Sequence, residues 1–245
     1  MLENIKKELA SYGNEEKSRI LSRFFKTKPG EYGHGDVFLG LKVPETRAVA
    51  KKYIDLNLKD VEILLKSGIH EERLDALLIL VEKYNKSNEN YKKIIFDFYL
   101  NNAKNVNNWD LVDLSADKIV GSYLINKDKK ILYKLVKSEN LWERRISIIA
   151  TFAFIRKNNF NETFKISESL MKDKHDLIHK AVGWMLREAG KRNQAAEEQF
   201  LKKYYKNMPR TMLRYAIEKF DKDKKEFFYE KIVILDFSFR TEPPI

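Results

Sequence analysis

An aromatic and an acidic residue that could together stabilise a positive charge lie four positions apart in the segment 107–113, NNWDLVD. On a helix, this spacing places the side chains of Trp109 and Asp113 on one face, roughly 6 Å apart. At ~100° per residue, one side of the helix carries aromatic and acidic side chains, namely Trp109, Asp110, Asp113 and Asp117. The opposite side is apolar and would face the core, with Leu111, Val112, Ala116 and Ile119. The pattern predicts an acidic and aromatic site on a helix that packs against the core.

The chain as a whole is strongly basic, since 47 Lys and Arg residues against 36 Asp and Glu residues give a formal net charge of +11. Such a charge favours association with phosphate backbones or acidic membrane surfaces. A membrane is the weaker alternative, because no run approaches the roughly 20 apolar residues of a spanning helix and no signal-peptide pattern is present. The absence of cysteine excludes disulfides, thiolate nucleophiles and cysteine-bound metals. We predict a cytoplasmic protein, without membrane association, that performs chemistry on nucleic acid.

Glycine and proline are scarce, with 9 and 5 residues, which indicates long helices with short connections. Similar apolar segments, most of them preceded by a basic residue, recur along the chain. Their equivalent positions are 73, 113, 145, 180 and 214, separated by 40, 32, 35 and 34 residues. This is the length of a helical-pair repeat of the HEAT, armadillo or TPR type. The predicted fold class is all-α: a curved α-solenoid of degenerate HEAT-like helical-pair repeats, forming one domain over residues 1–245.

About fourteen helices are predicted, the last over residues 223–231, and two stretches depart from the helical pattern. The glycine-rich loop 29–36 (PGEYGHGD) lacks the spacing of a phosphate-binding or dinucleotide-binding motif, so it is predicted to be a flexible connection. The tail 232–239 has a β-like composition, but a lone terminal strand would have nothing to pair with.

Stacking of the repeats would bring their equivalent positions to one concave surface. That surface would carry Arg73, Asp113, Arg145, Lys180 and Arg214, and the three tryptophans of the chain (Trp109, Trp142 and Trp184) lie within about one turn of three of them. Basic residues interleaved with aromatic rings suit a nucleic-acid groove. Arg47, shortly after Pro44, is a further candidate for a contact with the nucleic-acid backbone.

Five segments together carry a resemblance to a known family: Phe38–Arg47, Trp109–Asp113, Leu141–Arg145, Lys180–Glu188 and Met208–Glu218. In this order they resemble the AlkD family of DNA alkylation-repair proteins, which are HEAT-like alkylpurine DNA glycosylases. The resemblance implies that Asp113 is the catalytic carboxylate and that Arg145 contacts the DNA backbone. It also implies that Trp109 and Trp184 are aromatic walls around the lesion. Arg187, inside the fourth segment, joins the candidate DNA contacts, and Phe24 stands where a well-known member has a tyrosine.

The implied reaction agrees with the chemistry of these side chains. Alkylation at purine N3 or N7 makes the base a cationic leaving group, and its departure leaves oxocarbenium character on the deoxyribose. A fixed carboxylate at Asp113 would stabilise that charge. The gross attraction between two unit charges is ~4 kcal/mol at a separation of ~4 Å and an effective dielectric of ~20. Each tryptophan face would add ~0.5–2 kcal/mol toward a cation. The expected partner is double-stranded DNA with alkylated bases, bound by a monomer that needs neither cofactor nor metal.

Structural interpretations of the same residues stay open. Asp113 could be a solvated or ion-paired helix residue, and Trp142 is interpreted as a packing residue. Basic residues at the equivalent positions, such as Arg73, Lys180 and Arg214, could form ion pairs between repeats instead of phosphate contacts. His175 and His179 have a zinc-binding spacing but no evident third ligand, so no metal site is predicted. Two other functions also remain, a HEAT-repeat adaptor for a protein partner and a non-catalytic protein that binds damaged or branched DNA.

Overall fold

A computed structural model describes residues 1–229, and these residues fold into helices joined by short connections. In chain order the helices are α1 (Leu2–Ser11), α2 (Glu15–Phe24), α3 (Val43–Lys52), α4 (Leu58–Leu65), α5 (His70–Lys86), α6 (Glu89–Asn101), α7 (Trp109–Ala116), α8 (Ser122–Leu124), α9 (Lys130–Val136), α10 (Leu141–Ala150), α11 (Phe152–Ile155), α12 (Asn161–Ser169), α13 (Asp176–Gly190), α14 (Gln194–Tyr204) and α15 (Arg210–Ala216). Residues 222–229 are also helical.

No strand occurs in this part of the chain, where β pairing is limited to an isolated parallel bridge between Val37 and Ile69. The prediction of an all-helical fold is therefore confirmed. The β-like tail 232–239 and the end of the last predicted helix lie outside the described residues.

Two layers of helices build the fold. The inner layer runs α5, α7, α10, α13 and α15, and each of these helices packs against the next. The outer helices α6, α9, α12 and α14 cover it, each packed against at least one inner helix, while α1, α3 and α4 cover the N-terminal side of α5. This is a helical solenoid, in which no pair of helices buries its apolar face without its neighbours.

The predicted repeat phase agrees with this layering. Positions 73, 113, 145, 180 and 214 fall on α5, α7, α10, α13 and α15, which is one position on each inner helix. The spacing of the series therefore identified the inner layer, although it did not indicate which of these side chains are exposed.

Asparagine side chains determine where many helices begin. Asn14, Asn57, Asn88, Asn108, Asn140 and Asn193 each accept a hydrogen bond from a backbone N–H in the first turn of the helix that follows. Such a cap satisfies one of the backbone donors that have no partner inside the helix. Asn108 is the cap that matters most for the site, because it fixes the start of α7.

Two of the inner helices continue into local irregularities. Residues 109–124 run as one helix, but Asp117–Gly121 forms a π-helical turn between α7 and α8. The helical segment 141–155 is interrupted at Thr151, between α10 and α11, where the Thr151 hydroxyl donates to the Ile148 carbonyl at 2.7 Å. A threonine bond to its own helix competes with the regular backbone bonds and explains this break.

Glycine allows the inner helices to approach closely. A Cβ atom at Gly183 of α13 would lie 2.4 Å from the Met212 carbonyl oxygen and 2.5 Å from the Tyr215 Cβ atom of α15. At Gly121, a Cβ atom would lie 2.1 Å from the Ala150 carbonyl oxygen. Both contacts are with backbone or with a rigid Cβ atom, so neither neighbour can move aside without shifting a helix.

Gly183→Ala should therefore lower the free energy of unfolding by roughly 1–3 kcal/mol, because overpacking against α15 outweighs the better helix propensity of alanine. Chemical denaturation measures the change. Gly68→Ala is the matched control, since its Cβ atom would meet nothing within 4 Å. Equal stability of the two variants would contradict the close approach of α13 and α15.

Candidate active site

A cavity of about 740 Å³ opens between α2, the segment 38–44 and the inner helices. Its aromatic lining comes from Phe24, Phe25, Phe38, Trp109 and Trp184, and aliphatic side chains from α2, α5 and α7 complete the apolar part. Three acidic residues, Glu71, Asp110 and Asp113, also line the cavity. Three residues that the sequence singled out, Trp109, Asp113 and Trp184, therefore lie around one space.

The indole of Trp109 lies against a second aromatic ring. It stacks on Phe25, with ring centroids 5.0 Å apart and planes 13° apart, and Phe24 meets its edge at 5.7 Å. Phe24 is 61% exposed although it is apolar, and α2 as a whole has no buried residue. One wall of the cavity is thus a helix that contributes nothing to the core.

Asp113 forms a bidentate ion pair with Arg145 of α10. The Arg145 Nε donates to Oδ1 at 2.9 Å and the Nη2 donates to Oδ2 at 2.8 Å. The third guanidinium nitrogen, Nη1, donates to the Leu177 carbonyl at the start of α13, at 2.5 Å. A bidentate pair of this kind fixes the carboxylate in orientation as well as in position.

The Asp113 carboxyl is largely removed from water, with 15% of its side chain exposed. Burial raises its pKa above the ordinary value, the Arg145 guanidinium opposes that rise, and the neighbouring carboxylates of Asp110 and Asp117 add to it. Arg145 is therefore the group that favours the charged form of Asp113 in this setting.

The structure places Arg145 differently from the prediction. Its side chain is only 5% exposed and is engaged by Asp113 and Leu177, so in this conformation it does not present its charge to a DNA backbone. Arg73 is likewise buried, where it pairs with Asp36 at 2.6 Å and donates to the Ser67 carbonyl at 2.7 Å. Both arginines hold parts of the protein together, because a buried guanidinium requires a partner within the fold.

The other predicted basic contacts are nearer the surface. Arg214 is exposed on α15, and Lys180 of α13 is partly exposed and pairs with Asp176 at 2.7 Å. Arg47 of α3 is half-buried. Arg187 pairs with Glu218 and also approaches Glu188 at 3.7 Å, so its charge is shared with two acids. These four residues lie on three helices, α3, α13 and α15.

The two remaining tryptophans differ in environment. Trp184 is half-buried at the cavity, and its indole Nε1–H donates to Glu188 at 3.1 Å. Trp142 is buried in the core and meets Tyr32 edge-on at 6.1 Å, as its interpretation as a packing residue predicted.

The prediction of a flexible loop over residues 29–36 is wrong at its end. The Asp36 side chain is only 6% exposed; it pairs with Arg73 at 2.6 Å, accepts a hydrogen bond from Asn108 and contacts the ring of His70. The adjoining segment is tied to α5 as well, since the Glu71 carboxylate accepts the backbone N–H groups of residues 39–41 at 2.8–3.2 Å. Buried charged side chains therefore anchor the segment that forms the cavity floor.

His70 is the site residue that sequence reasoning missed. It is buried at the start of α5, lines the cavity, and lies between two carboxylates. Its Nε2 is 2.8 Å from Asp110 and its Nδ1 is 3.3 Å from Asp36. The available signal was the charged run His70–Arg73 (HEER) at the head of a long apolar helix, which marks charges that the fold must pair.

Neither metal-like nor membrane-like features stand out among residues 1–229. No group of three or more His, Asp or Glu side chains in this range is arranged to hold a metal ion, and no helix there is long and apolar enough to cross a membrane. His175 accepts the Leu177 backbone N–H at 3.1 Å, and the His179 Nε2 lies 2.5 Å from the Asp173 carbonyl. These two histidines thus serve the start of α13.

The site therefore combines a held carboxylate with aromatic faces around an open space. Such an arrangement can stabilise a cation that enters between the rings, by charge at Asp113 and by the electron-rich faces of Trp109 and Trp184.

The chain belongs to the DNA alkylation repair enzyme family, whose model matches residues 5–220. The family gives it a role in DNA alkylation repair, with DNA as the substrate. Among solved structures it is similar to one described as a predicted DNA alkylation repair enzyme from Enterococcus faecalis, with a TM-score of 0.66 and 20% sequence identity. That alignment covers 86% of this chain and 97% of the other, and it supports the shared fold. No protein of curated function matches the chain.

Removal of Arg145 should be costly for stability. Arg145→Met leaves the Asp113 carboxylate buried without its partner, so we expect the free energy of unfolding to fall by about 3–5 kcal/mol. The double variant with Asp113→Leu should recover a large part of this loss, because no lone charge remains. Urea denaturation at neutral pH compares the two. A loss below about 1 kcal/mol for Arg145→Met would contradict the importance of the pair.

Proposed function

We propose that this protein is a DNA glycosylase of the AlkD type that excises cationic N3- or N7-alkylated purines from duplex DNA. It would act as a monomer in the cytoplasm, as one domain. The observation that carries the proposal is the Asp113 carboxylate, held by Arg145 at the edge of a cavity walled by Trp109 and Trp184. Family membership supports the choice of alkylated DNA as the substrate.

The proposed reaction breaks the bond between deoxyribose C1′ and the purine nitrogen. The electron pair of that bond leaves with the base, which becomes neutral, and positive charge develops on C1′ and the ring oxygen of the sugar. Water then adds to C1′ and loses a proton to solvent, which leaves an abasic site and the free alkylpurine. No redox partner or further reactant is required.

Asp113 would stabilise the developing charge on the sugar. Each of its oxygens accepts one N–H from Arg145 and keeps a lone pair that is free to face the sugar or to orient the attacking water. The gross attraction of ~4 kcal/mol expected for a unit pair at ~4 Å is reduced by the positive charge of Arg145. A contribution of roughly 10- to 1000-fold in rate corresponds to the ~1.4–4 kcal/mol that remains.

Trp109 and Trp184 would bind the lesion before it leaves. Their faces attract a cationic base more strongly than a neutral one, so they favour the alkylated nucleotide over ordinary DNA. Arg47, Lys180 and Arg214, with Arg187 beside them, would contact the DNA backbone and add affinity without sequence preference. Arg145 would position Asp113 instead of contacting a DNA phosphate.

A second candidate is a protein that binds damaged or branched DNA without catalysis. The bidentate Asp113–Arg145 pair favours it to some degree, because this is also what a purely structural ion pair between α7 and α10 would look like. The two candidates differ in one measurable outcome, the release of free base.

Asp113→Asn should lower the single-turnover release of 7-methylguanine from duplex DNA by at least roughly tenfold, because it removes the charge and keeps the shape. DNA binding should change little. Asp117→Asn, one turn further along, is the matched control: Asp117 pairs with Arg156 and does not line the cavity, and its loss relieves repulsion on Asp113, so the rate should not fall. Wild-type release by Asp113→Asn would refute the catalytic assignment, and binding without release by the wild type would favour the second candidate.

The leaving group provides a separate test of the mechanism. If charge stabilisation drives catalysis, the protein should release 7-methylguanine faster than hypoxanthine from otherwise identical duplexes, because hypoxanthine leaves from a neutral nucleotide whose bond is not already weakened. Single-turnover rates measure both. Equal or faster release of hypoxanthine would contradict this mechanism even if the protein proved to be a glycosylase.

A further inference from the structure

A buried cluster of four charged groups lies beneath the cavity. Asp36, before α3, and Asp110, on α7, flank the ring of His70, and Arg73 binds the second oxygen of Asp36 at 2.6 Å. All four side chains are at least nine-tenths buried. With His70 protonated, the cluster holds two positive and two negative charges, so it is balanced inside the fold.

The cluster holds the residues on both sides of Trp109. The Asn108 side chain caps α7 by accepting the Trp109 N–H at 2.8 Å, and its amide donates to Asp36 at 3.2 Å. On the other side, Asp110 accepts from its neighbour Leu111 at 2.9 Å and contacts the His70 Nε2. The backbone of Trp109 therefore lies between two residues that are both tied to the cluster.

The indole of Trp109 is connected to His70 through aromatic rings. Phe25 stacks on Trp109, and its centroid also lies 5.0 Å from the His70 ring. Phe38 stacks on both of these rings, with its centroid 4.5 Å from His70 and 5.0 Å from Phe25. The position of the His70 ring thus bears on both the main chain and the side chain of Trp109, and Asp113 follows one turn later on the same helix.

A carboxylate faces each ring nitrogen of His70, and the Arg73 guanidinium also lies 3.5 Å from Nδ1 and opposes a positive charge on the ring. Only the imidazolium has two N–H donors, whereas the neutral ring turns a lone pair toward one carboxylate. Burial lowers the pKa of His70, but the charge and hydrogen bond of Asp110, together with Asp36, outweigh this and raise the pKa to about 9.

We propose that His70 is a positioning residue for the candidate active site, and that its imidazolium form holds Trp109 and the first turn of α7 where the lesion is bound. Loss of the proton removes the His70 hydrogen bond from Asp36 or Asp110, and with it one of the bonds that hold the residues beside Trp109. The lesion-binding part of this inference rests on the proposed function, whereas the coupling of His70 to Trp109 does not.

The sign of the pH effect follows from the raised pKa. The arrangement is complete below pH 6.5, the ordinary pKa of histidine, and is lost as the pH rises through about 9. The preference for alkylated over undamaged duplex should decline as the pH rises through about 9. Binding of the undamaged duplex is the reference for general effects of alkali.

Other groups could produce an alkaline transition and have to be separated. Asp75 is buried on α5 and its pKa is raised to about 8, mainly by burial, and the same holds for Glu197 on α14. Tyr32, whose environment includes Trp109, has a pKa raised from its ordinary value, mainly by burial. Arg73 stays charged throughout. Among these, Asp75 is the best control because it lies on the same helix as His70.

The experiment follows the free protein by NMR between pH 6 and 10.5. Ring signals of the four histidines report the His70 proton, assigned by His70→Gln, and the three indole N–H signals report the tryptophans, assigned by Trp109→Phe. We expect His70 and the Trp109 indole to change with one midpoint near pH 9. The signal of the Trp184 indole, which donates to Glu188, should not change with this midpoint.

Two variants test whether the proton on His70 causes the Trp109 transition. Asp36→Asn removes one carboxylate and should lower the shared midpoint by about one to three pH units. Asp75→Asn touches none of the cluster and should leave the midpoint in place. The proposal is overturned if Asp75→Asn shifts the midpoint of the Trp109 transition, or if that midpoint stays near pH 9 in Asp36→Asn. Different midpoints for His70 and Trp109 in the wild type would overturn it as well.

Base release distinguishes this proposal from the proposed function. If no alkylpurine is released but His70 and Trp109 titrate together, the glycosylase assignment fails and the positioning role stands. If release is normal while His70 and Trp109 titrate independently, the glycosylase assignment stands and the positioning role fails. The wild type and Asp36→Asn suffice for this decision should His70→Gln not fold.

Discussion

Charge inside this solenoid has to be paired or neutralised, and that constraint positions the site. An unpaired ion in a protein interior costs several kcal/mol, so buried acids here have a basic partner, bind a proton or, as Glu71 does, accept backbone N–H groups. Asp113 is paired with Arg145, Asp117 with Arg156, and the acids beside His70 are balanced within their cluster. Asp75 and Glu197 follow the second course, since burial raises the pKa of each to about 8.

The pairs also connect separate elements. Arg145 links α10 to α7 through Asp113 and to α13 through the Leu177 carbonyl, and His70 links α5 to α7 through Asp110. Hydrophobic burial is non-directional, whereas a bidentate ion pair has a narrow geometry. Packing therefore brings the inner helices together, and ion pairs fix the relative positions of the side chains that face the cavity.

The sequence was sufficient for the helical layers and for the grouping of Trp109, Asp113 and Trp184, because periodicity and repeat spacing determine which faces turn inward. It was not sufficient for Arg145, since an arginine at a repeat position has the same local pattern whether it is exposed or paired with an acid 32 residues away. For the same reason the sequence did not predict His70 as a site residue, since its partners Asp36 and Asp110 are 34 and 40 residues distant. Asp36 was further hidden by the glycine-rich loop around it, which resembles a free connection.

The helix α2 has a consequence for how such a site changes over evolutionary time. It forms one wall of the cavity, with Phe24 at its end, yet none of its residues belongs to the core. Core positions resist substitution because every change in volume is felt by packed neighbours, but side chains along α2 are free of that restraint. The shape and chemistry of this wall can therefore diverge among relatives while the solenoid beneath it stays the same, so acceptance of different substituents can be acquired without a loss of foldability.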